Sequence, residues 1–244
     1  MATNKYEAGK TTTPRNAWAV AGAAISSAAR DRIILGGGAA VAVVLLLGRL
    51  LGARGGGGPT AGALSLLVAL FFGSLLIVPA LLAEERVKQA RGQMAASAGA
   101  TLVGMGLAGL VFGLVGAAVA LLIYAGLIVR WDAAILAAVL AVTFGLSLGL
   151  LIDLLVDASR LILWLVAVGL VLLLPALALA LFGADVLAEA ALLRWVPTVA
   201  LLRLFETALG GAAAALLSSV LAVVTPTVIM MAAAGWLTRR VERG

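Results

Sequence analysis

Apolar residues run in long unbroken stretches along this chain, each closed by a short polar or glycine-rich interruption. The stretches cover 33–51, 61–83, 98–129, 133–155, 161–182 and 209–237. A helix rising 1.5 Å per residue needs about 20 apolar residues to cross a bilayer, so the pattern predicts six transmembrane helices. The third stretch is longer than one crossing needs, and its first turns are expected outside the hydrocarbon. Strands do not fit, because a membrane barrel shows alternating segments of about ten residues. In lipid only helices and closed barrels satisfy their own backbone polar groups.

The interruptions differ in kind. Gly52-Ala53-Arg54-Gly55-Gly56-Gly57-Gly58-Pro59 reads as a flexible loop. Arg130-Trp131-Asp132 is a tight polar break, and Asp153, Asp157 and Arg160 mark the next. A less apolar stretch, 183–206, carries Asp185, Glu189, Arg194, Pro197, Arg203 and Glu206 before the last span. Residues 14–32 place Trp18, Ala21, Ile25 and Ala28 at helical spacing, with Ser26, Ser27 and Arg30 off that stripe. This suits a helix lying in the membrane interface, although a plain extension of the first span fits as well. Residues 1–13 are expected to form a disordered tail, polar and without the apolar core of a secretory signal, and 238–244 a second tail.

Charge then orients the bundle. Six crossings put both ends on one side. That side collects Lys5, Lys10, Arg15, Arg30, Arg32, Arg86, Lys88, Arg91, Arg160, Arg239, Arg240 and Arg243, twelve of the 17 basic residues. The other side has Arg49, Arg54, Arg130, Arg194 and Arg203. Basic residues concentrate in cytoplasmic segments. The expectation is a multi-pass protein of the inner or plasma membrane with both termini cytoplasmic.

Composition agrees. Of 244 residues, 64% are hydrophobic and 11% charged, against about half and a quarter in soluble domains. There is no histidine and no cysteine, which removes imidazole bases, thiol nucleophiles, disulfides and the usual zinc sites. The net charge of +6 lies mostly at helix ends and tails, where it serves topology and lipid headgroups rather than nucleic acid.

Few residues carry candidate chemistry. Gly9-Lys10-Thr11 ends like a phosphate-binding loop, but Asn4 stands where that motif needs its first glycine, and no strand precedes it. No catalytic residue, cofactor site or metal site is expected in this chain. Gly109 and Gly113, and Gly145 and Gly149, are small residues four apart on one helix face. Such pairs let membrane helices approach closely, within the chain or along a substrate path. Asp153 and Asp157 share a face at a helix end, where carboxylates usually meet water or a base. The stretch 84–97 is strongly charged, with Glu84, Glu85, Arg86, Lys88 and Arg91. A charged helix protruding between the second and third spans is a docking surface for a soluble partner, or otherwise a solvated helix end.

This order of features resembles the permeases of ABC-2 type ABC transporters. They combine a polar N-terminal arm, an interfacial helix, six spans, a charged turn after span two and a partly re-entrant segment before span six. After span two that family often shows Glu-Arg-Glu-x-Gly-Thr-Leu-Glu-x-Leu, then Ser-Pro. Here Glu85-Arg86-Val87-Lys88-Gln89-Ala90-Arg91-Gly92-Gln93-Met94 is followed by Ser97-Ala98. Glu85 and Arg86 match, and Gln93 and Met94 stand in conservatively for the later Glu and Leu. The Gly-Thr pair and the proline have no counterpart. Leu192-Leu193-Arg194-Trp195-Val196-Pro197-Thr198 is similar to the family's external stretch before the last span.

The resemblance spans about residues 15–240. It implies a permease subunit of an ATP-driven exporter that pairs with a second permease and docks two ATPase subunits from the cytoplasm. ATP would be bound on those partners, and Glu84, Glu85, Arg86, Lys88 and Arg91 would receive their motion. Substrates in the family range from drugs and lipids to polysaccharides and peptides, and the haem-related permeases have the same span count. Two other readings stay open. One is a membrane scaffold using its glycine faces to hold partner helices. The other is a secondary transporter, for which inverted repeats would be expected; none is visible between 33–129 and 133–237.

Overall fold

The computed structural model describes residues 17–28, 41–50, 58–90, 98–157, 159–183 and 191–243. Among them there are only helices and turns. The helices are α1 (Ala17–Ala28), α2 (Val41–Leu50), α3 (Gly58–Ala90), α4 (Ala98–Tyr124), α5 (Trp131–Leu155), α6 (Leu161–Phe182), α7 (Pro197–Ala208) and α8 (Leu216–Arg243), with a 3₁₀ turn at Ala191–Trp195. Five of them, α3, α4, α5, α6 and α8, are long and apolar enough to cross a membrane. The chain is therefore an all-helical, multi-pass membrane protein.

Apolar side chains face outward as well as inward. Leu122, Ile162, Leu163 and Leu217 are at least 70% exposed, which water would penalise and lipid does not. Tryptophans stand at both ends of the crossings: Trp131 begins α5, Trp164 lies in the first turn of α6, and Trp236 lies near the end of α8 with Arg240 5.5 Å over its ring. Tryptophan favours the membrane–water boundary, so these residues mark the two surfaces.

Glycine contacts fix how the helices run. An added Cβ at Gly109 would lie 2.7 Å from Val78 and 3.1 Å from Leu146, and one at Gly113 would lie 2.5 Å from Val142. Advancing along α4 therefore moves backward along α5, and the two are antiparallel. Gly145 sits against Phe71 and Ser74, and Gly149 against Leu75 and Pro79, so α3 and α5 are parallel. We call the side where α3, α5 and α8 begin the loop side, and the side where they end the tail side. α5 is the central helix, with 72% of its crossing buried, whereas α8 at 17% is peripheral.

The crossings differ from the expected stretches at their ends. α4 stops at Tyr124, and 125–130 form a turn rather than the end of a span reaching 129. α8 begins at Leu216 instead of 209, because 209–215 fold back over the end of α7, and its helix runs on through the expected tail to Arg243. α3 continues past the expected boundary at 83 to Ala90. Of the expected first span, 33–51, the helix Val41–Leu50 is described. Gly73 contacts Val41, and Gly48 packs on Ser65, so α2 runs antiparallel to α3 through the loop-side half of the bundle. Its ten residues rise about 15 Å, half of a hydrocarbon core of about 30 Å. The rest of that expected span, and the expected tail 1–13, lie outside the described residues. α1 packs on the tail-side half of α4, with Ala17 and Val20 against Gly104.

A sixth crossing has a measurable consequence. The chain has no cysteine, so single cysteines can be placed freely. A cysteine at Ala2 and one at Arg239 are expected to react with an impermeant maleimide from one side of sealed vesicles, and one at Gly210 from the other. Labelling of the Ala2 and Arg239 sites from opposite sides would rule out a crossing by 33–51.

Candidate functional site

The least expected element is α7. Its sequence, Pro197–Ala208, has proline at its first helical position, where a missing N–H costs nothing. At twelve residues it is about 18 Å long, too short to cross. Yet Val199, Ala200, Leu201, Leu202, Leu204 and Phe205 are all buried, at 1% exposure or less. α3, α5, α6 and α8 surround it.

Two sets of hydrogen bonds fix its depth. At its start, Thr198 Oγ1 donates to Leu172 O at 2.5 Å. Leu172 is halfway along α6, so α7 begins level with the middle of that helix. The bond lies next to Pro175, which supplies no N–H to Val171 O and disturbs that turn of α6. At the other end, Ala208 O accepts from Val129 N at 2.8 Å and Arg130 N at 3.1 Å, in the loop-side turn between α4 and α5. From Thr198 to Ala208 the helix climbs about 15 Å, half the hydrocarbon thickness. α6 ends on the loop side, α7 begins at Thr198 level with the middle of α6, and α7 ends back on the loop side at Ala208. The resemblance drawn from the sequence implied a partly re-entrant segment before the last span; in the structure α7 lies alongside the loop-side half of α6.

The end of α7 is held tightly. Thr207 Oγ1 donates to Arg203 O or Ala212 O and accepts from Ala214 N at 2.9 Å. Gly210, at φ +85°, makes the left-handed turn that lets Gly211 N reach Glu206 O at 2.7 Å. Beside it, Arg130 and Asp132 form an exposed ion pair at 2.7 Å, which holds the Arg130 guanidinium above its ordinary pKa through that hydrogen bond. A second loop-side node joins three helices. Tyr124, fully buried, contacts Ser65 Oγ and donates to Leu45 O at 3.2 Å. A side chain at Gly48 would fall on Ser65.

Sequence-derived candidates occupy two places. Glu84, Glu85, Arg86 and Lys88 belong to the backbone of α3, which runs unbroken for eight residues, about 12 Å, beyond the end of its apolar crossing at Leu82. The charged stretch is thus the end of a crossing helix rather than a separate one. Arg91 and the residues to 97 lie outside the described residues. Gly109, Gly113, Gly145 and Gly149 face neighbouring helices of the same chain. Asp153 is buried at the tail-side end of α5, one turn beyond Gly149, while Asp157 is exposed and its carbonyl accepts from Arg160 N. Arg203 and Glu206 were legible as charges but not as residues of a helix packed within the bundle. Among the described residues no cluster of histidine, cysteine or carboxylate could hold a metal ion.

No protein family matches this chain, and no curated protein matches it.

Proposed function

We propose that the chain is the membrane-spanning subunit of an ATP-driven exporter of the ABC-2 type, coupled to a separate ATPase and paired with a second permease. The observation that carries this reading is α7, a short buried helix that begins level with the middle of α6 and returns to the loop side immediately before the last crossing. The resemblance drawn from the sequence includes a partly re-entrant segment in that position. The charged end of α3 supports it from the other side of the membrane, where twelve of 17 basic residues collect in the six-span arrangement. On the positive-inside rule the tail side is cytoplasmic.

The proposed coupling path is a single helix. α3 runs 33 residues from Gly58 to Ala90 and packs on α4, α5, α6 and α7. An ATPase seated on 84–97 would pull or tilt the tail-side end of α3. Close packing with α5 at Gly145 and Gly149 would carry that tilt into the core, and contact with α7 would carry it to the loop side. ATP favours one access state only if the docked ATPase binds the two states unequally. Pro79 lies at the tail-side end of the α5 contact, where a kink can set the angle of the lever.

The test is biochemical. Affinity capture of the tagged chain from its native membrane should bring down a soluble subunit with a phosphate-binding loop. Vesicles containing both should show ATP-dependent substrate movement. Capture without any ATPase, together with no ATP-dependent flux, would end this reading.

A further inference from the structure

Asp153 is a carboxylate only 3% exposed, in the tail-side end of the central helix. Gly145, Gly149 and Asp153 repeat every four residues on α5, and the two glycines face α3. Asp153 therefore continues the stripe that meets α3. A carboxylate buried in a membrane bundle needs a cation or several donors around it. The described basic residues on the tail side point elsewhere: Arg160, Arg239 and Arg240 are exposed, and Arg240 lies over Trp236.

Helix register supplies a cation. α3 and α5 are parallel, and Gly149 packs between Leu75 and Pro79. Four residues further on, Asp153 is level with about residue 81 of α3. By helical spacing the face that carries Leu75 and Pro79 continues through Leu82 to position 86, an arginine. Position 86 is about 7.5 Å beyond the level of Asp153. Side chains lean toward the N-terminus of their own helix, which for α3 is back toward Asp153. Lys88, two residues on, belongs to the opposite side of the helix.

A second buried group marks the same place. Thr101 is 7% exposed, and its Oγ1 has no hydrogen-bond partner among the described residues. It continues the α4 stripe of Met105, Gly109 and Gly113, four residues apart. Gly109 packs on Val78, and α4 runs against α3, so Thr101 is level with position 86. An arginine has five donors, and a carboxylate takes two of them in a bidentate pair. The others can serve Thr101 Oγ1.

We infer that Arg86 turns into the bundle and pairs with Asp153, with Thr101 as its second acceptor, and so fastens the end of α3 to α5. The pair sits beyond Pro79, where the missing N–H removes a bond within α3 and lets the helix bend. Without a tie further on, the rest of α3 would swing about that point. The ion pair holds it against the central helix. Arg86 then belongs to the bundle, and Glu84, Glu85 and Lys88 are left to a docking partner. The pair stands whether or not an ATPase docks. Under the transporter reading it makes the docking end of α3 and α5 one moving body.

The test is a double-mutant cycle read by thermal scans of the detergent-solubilised protein. Arg86→Met leaves the Asp153 carboxylate buried without its cation and should lower the melting temperature by about 5 °C or more. Adding Asp153→Asn removes that stranded charge, so the double variant should melt above Arg86→Met alone. An arginine that merely meets water at a helix end gives neither result. Arg86→Met melting within about 2 °C of wild type, or a double variant melting no higher than Arg86→Met, overturns the pair.

A second measurement does not depend on how well Arg86→Met folds. Spin labels on cysteines replacing Ala90 and Leu155, in a chain that has no cysteine of its own, report the distance between the ends of α3 and α5. One narrow distribution is expected in the otherwise wild-type protein and in Arg86→Lys, which keeps a cation at that point. Asp153→Asn should broaden and shift it. An unchanged distribution in Asp153→Asn overturns the tie. ATPase capture by the wild-type chain separates this inference from the transporter reading. Capture together with no rescue in the double variant sinks the pair and leaves the transporter standing. Rescue with no ATPase captured does the reverse.

Discussion

Replacing Gly149 by valine is expected to lower the melting temperature of the purified protein by about 6–12 °C, from roughly 3 kcal/mol of lost stability. The reason is a backbone contact that cannot move aside. A Cβ at Gly149 would fall on Leu75 O, with Leu75 C at 3.2 Å and Pro79 Cδ at 3.4 Å. Pro79 has no N–H to give to the carbonyl four residues earlier, which is Leu75. That carbonyl stands out from α3 at the proline, and only a residue without a side chain lets α5 lie against it. One turn away, a Cβ at Gly145 would fall on Ser74 Oγ and lie 2.8 Å from Phe71 O. Ser74 is itself tied back to Leu70 O at 2.6 Å, so Gly145→Val should be nearly as damaging. Gly116 has nothing within 4 Å of an added Cβ, and Gly116→Ala should change stability by less than about 1 kcal/mol. Thermal scans of detergent-solubilised protein, read as the fraction that stays monodisperse, compare the three. A Gly149→Val protein melting within about 2 °C of wild type would mean that α3 and α5 do not approach in this way.

The glycine pairs show what a sequence can and cannot reveal here. Small residues four apart on one face were visible at Gly145 and Gly149, and their use in close helix approach follows from general packing rules. Their partner was not visible. That Gly149 answers Pro79, 70 positions earlier, is a fact of register between two helices. The long crossings were legible because lipid demands length and apolarity, which are local properties. α7 was not. Its twelve residues are too few for a crossing, and Arg203 and Glu206 lower its apolarity below that of a span. Its burial comes from α3, α5, α6 and α8, none of them adjacent to it in sequence except the last two. One local clue existed: Pro197 beside Thr198 marks a helix start with a free hydroxyl. What that hydroxyl would bond, at Leu172 below Pro175, depended on the fold.

This difference matters for how the proposed coupling is divided. The loop-side end of α3 is fixed by buried contacts, at Ser65 through Tyr124 and at Gly62 against Leu209. Its tail-side end leaves the apolar crossing at Leu82 and continues as charged helix. In the proposed coupling, α3 anchored at its loop-side end is the lever and the ATPase acts on its charged end. Changes to Glu84 and Glu85 there should leave folding intact and affect only what binds.

Reversing Glu84 and Glu85 together, as Glu84→Lys and Glu85→Lys, is therefore expected to cost at least tenfold in ATPase capture and a similar factor in ATP-dependent flux. A tenfold loss needs only about 1.4 kcal/mol of differential binding, well within reach of two reversed charges at a protein interface. The melting temperature should stay within about 2 °C of wild type, since in the proposed role these side chains serve the partner and not the core. These two readouts separate docking from folding. In Gly149→Val the melting temperature falls and flux falls with it, whereas in the charge reversal flux falls alone. Salt supplies a further check. If Glu84 and Glu85 act by attracting basic residues of the ATPase, raising ionic strength should weaken wild-type capture, because exposed charge pairs are screened within about 10 Å at 0.1 M. The reversed protein should then show little salt dependence, having lost the attraction that salt removes. Capture and flux unchanged in the double reversal would place the ATPase elsewhere on the tail side, and the charged end of α3 would revert to a solvated helix end.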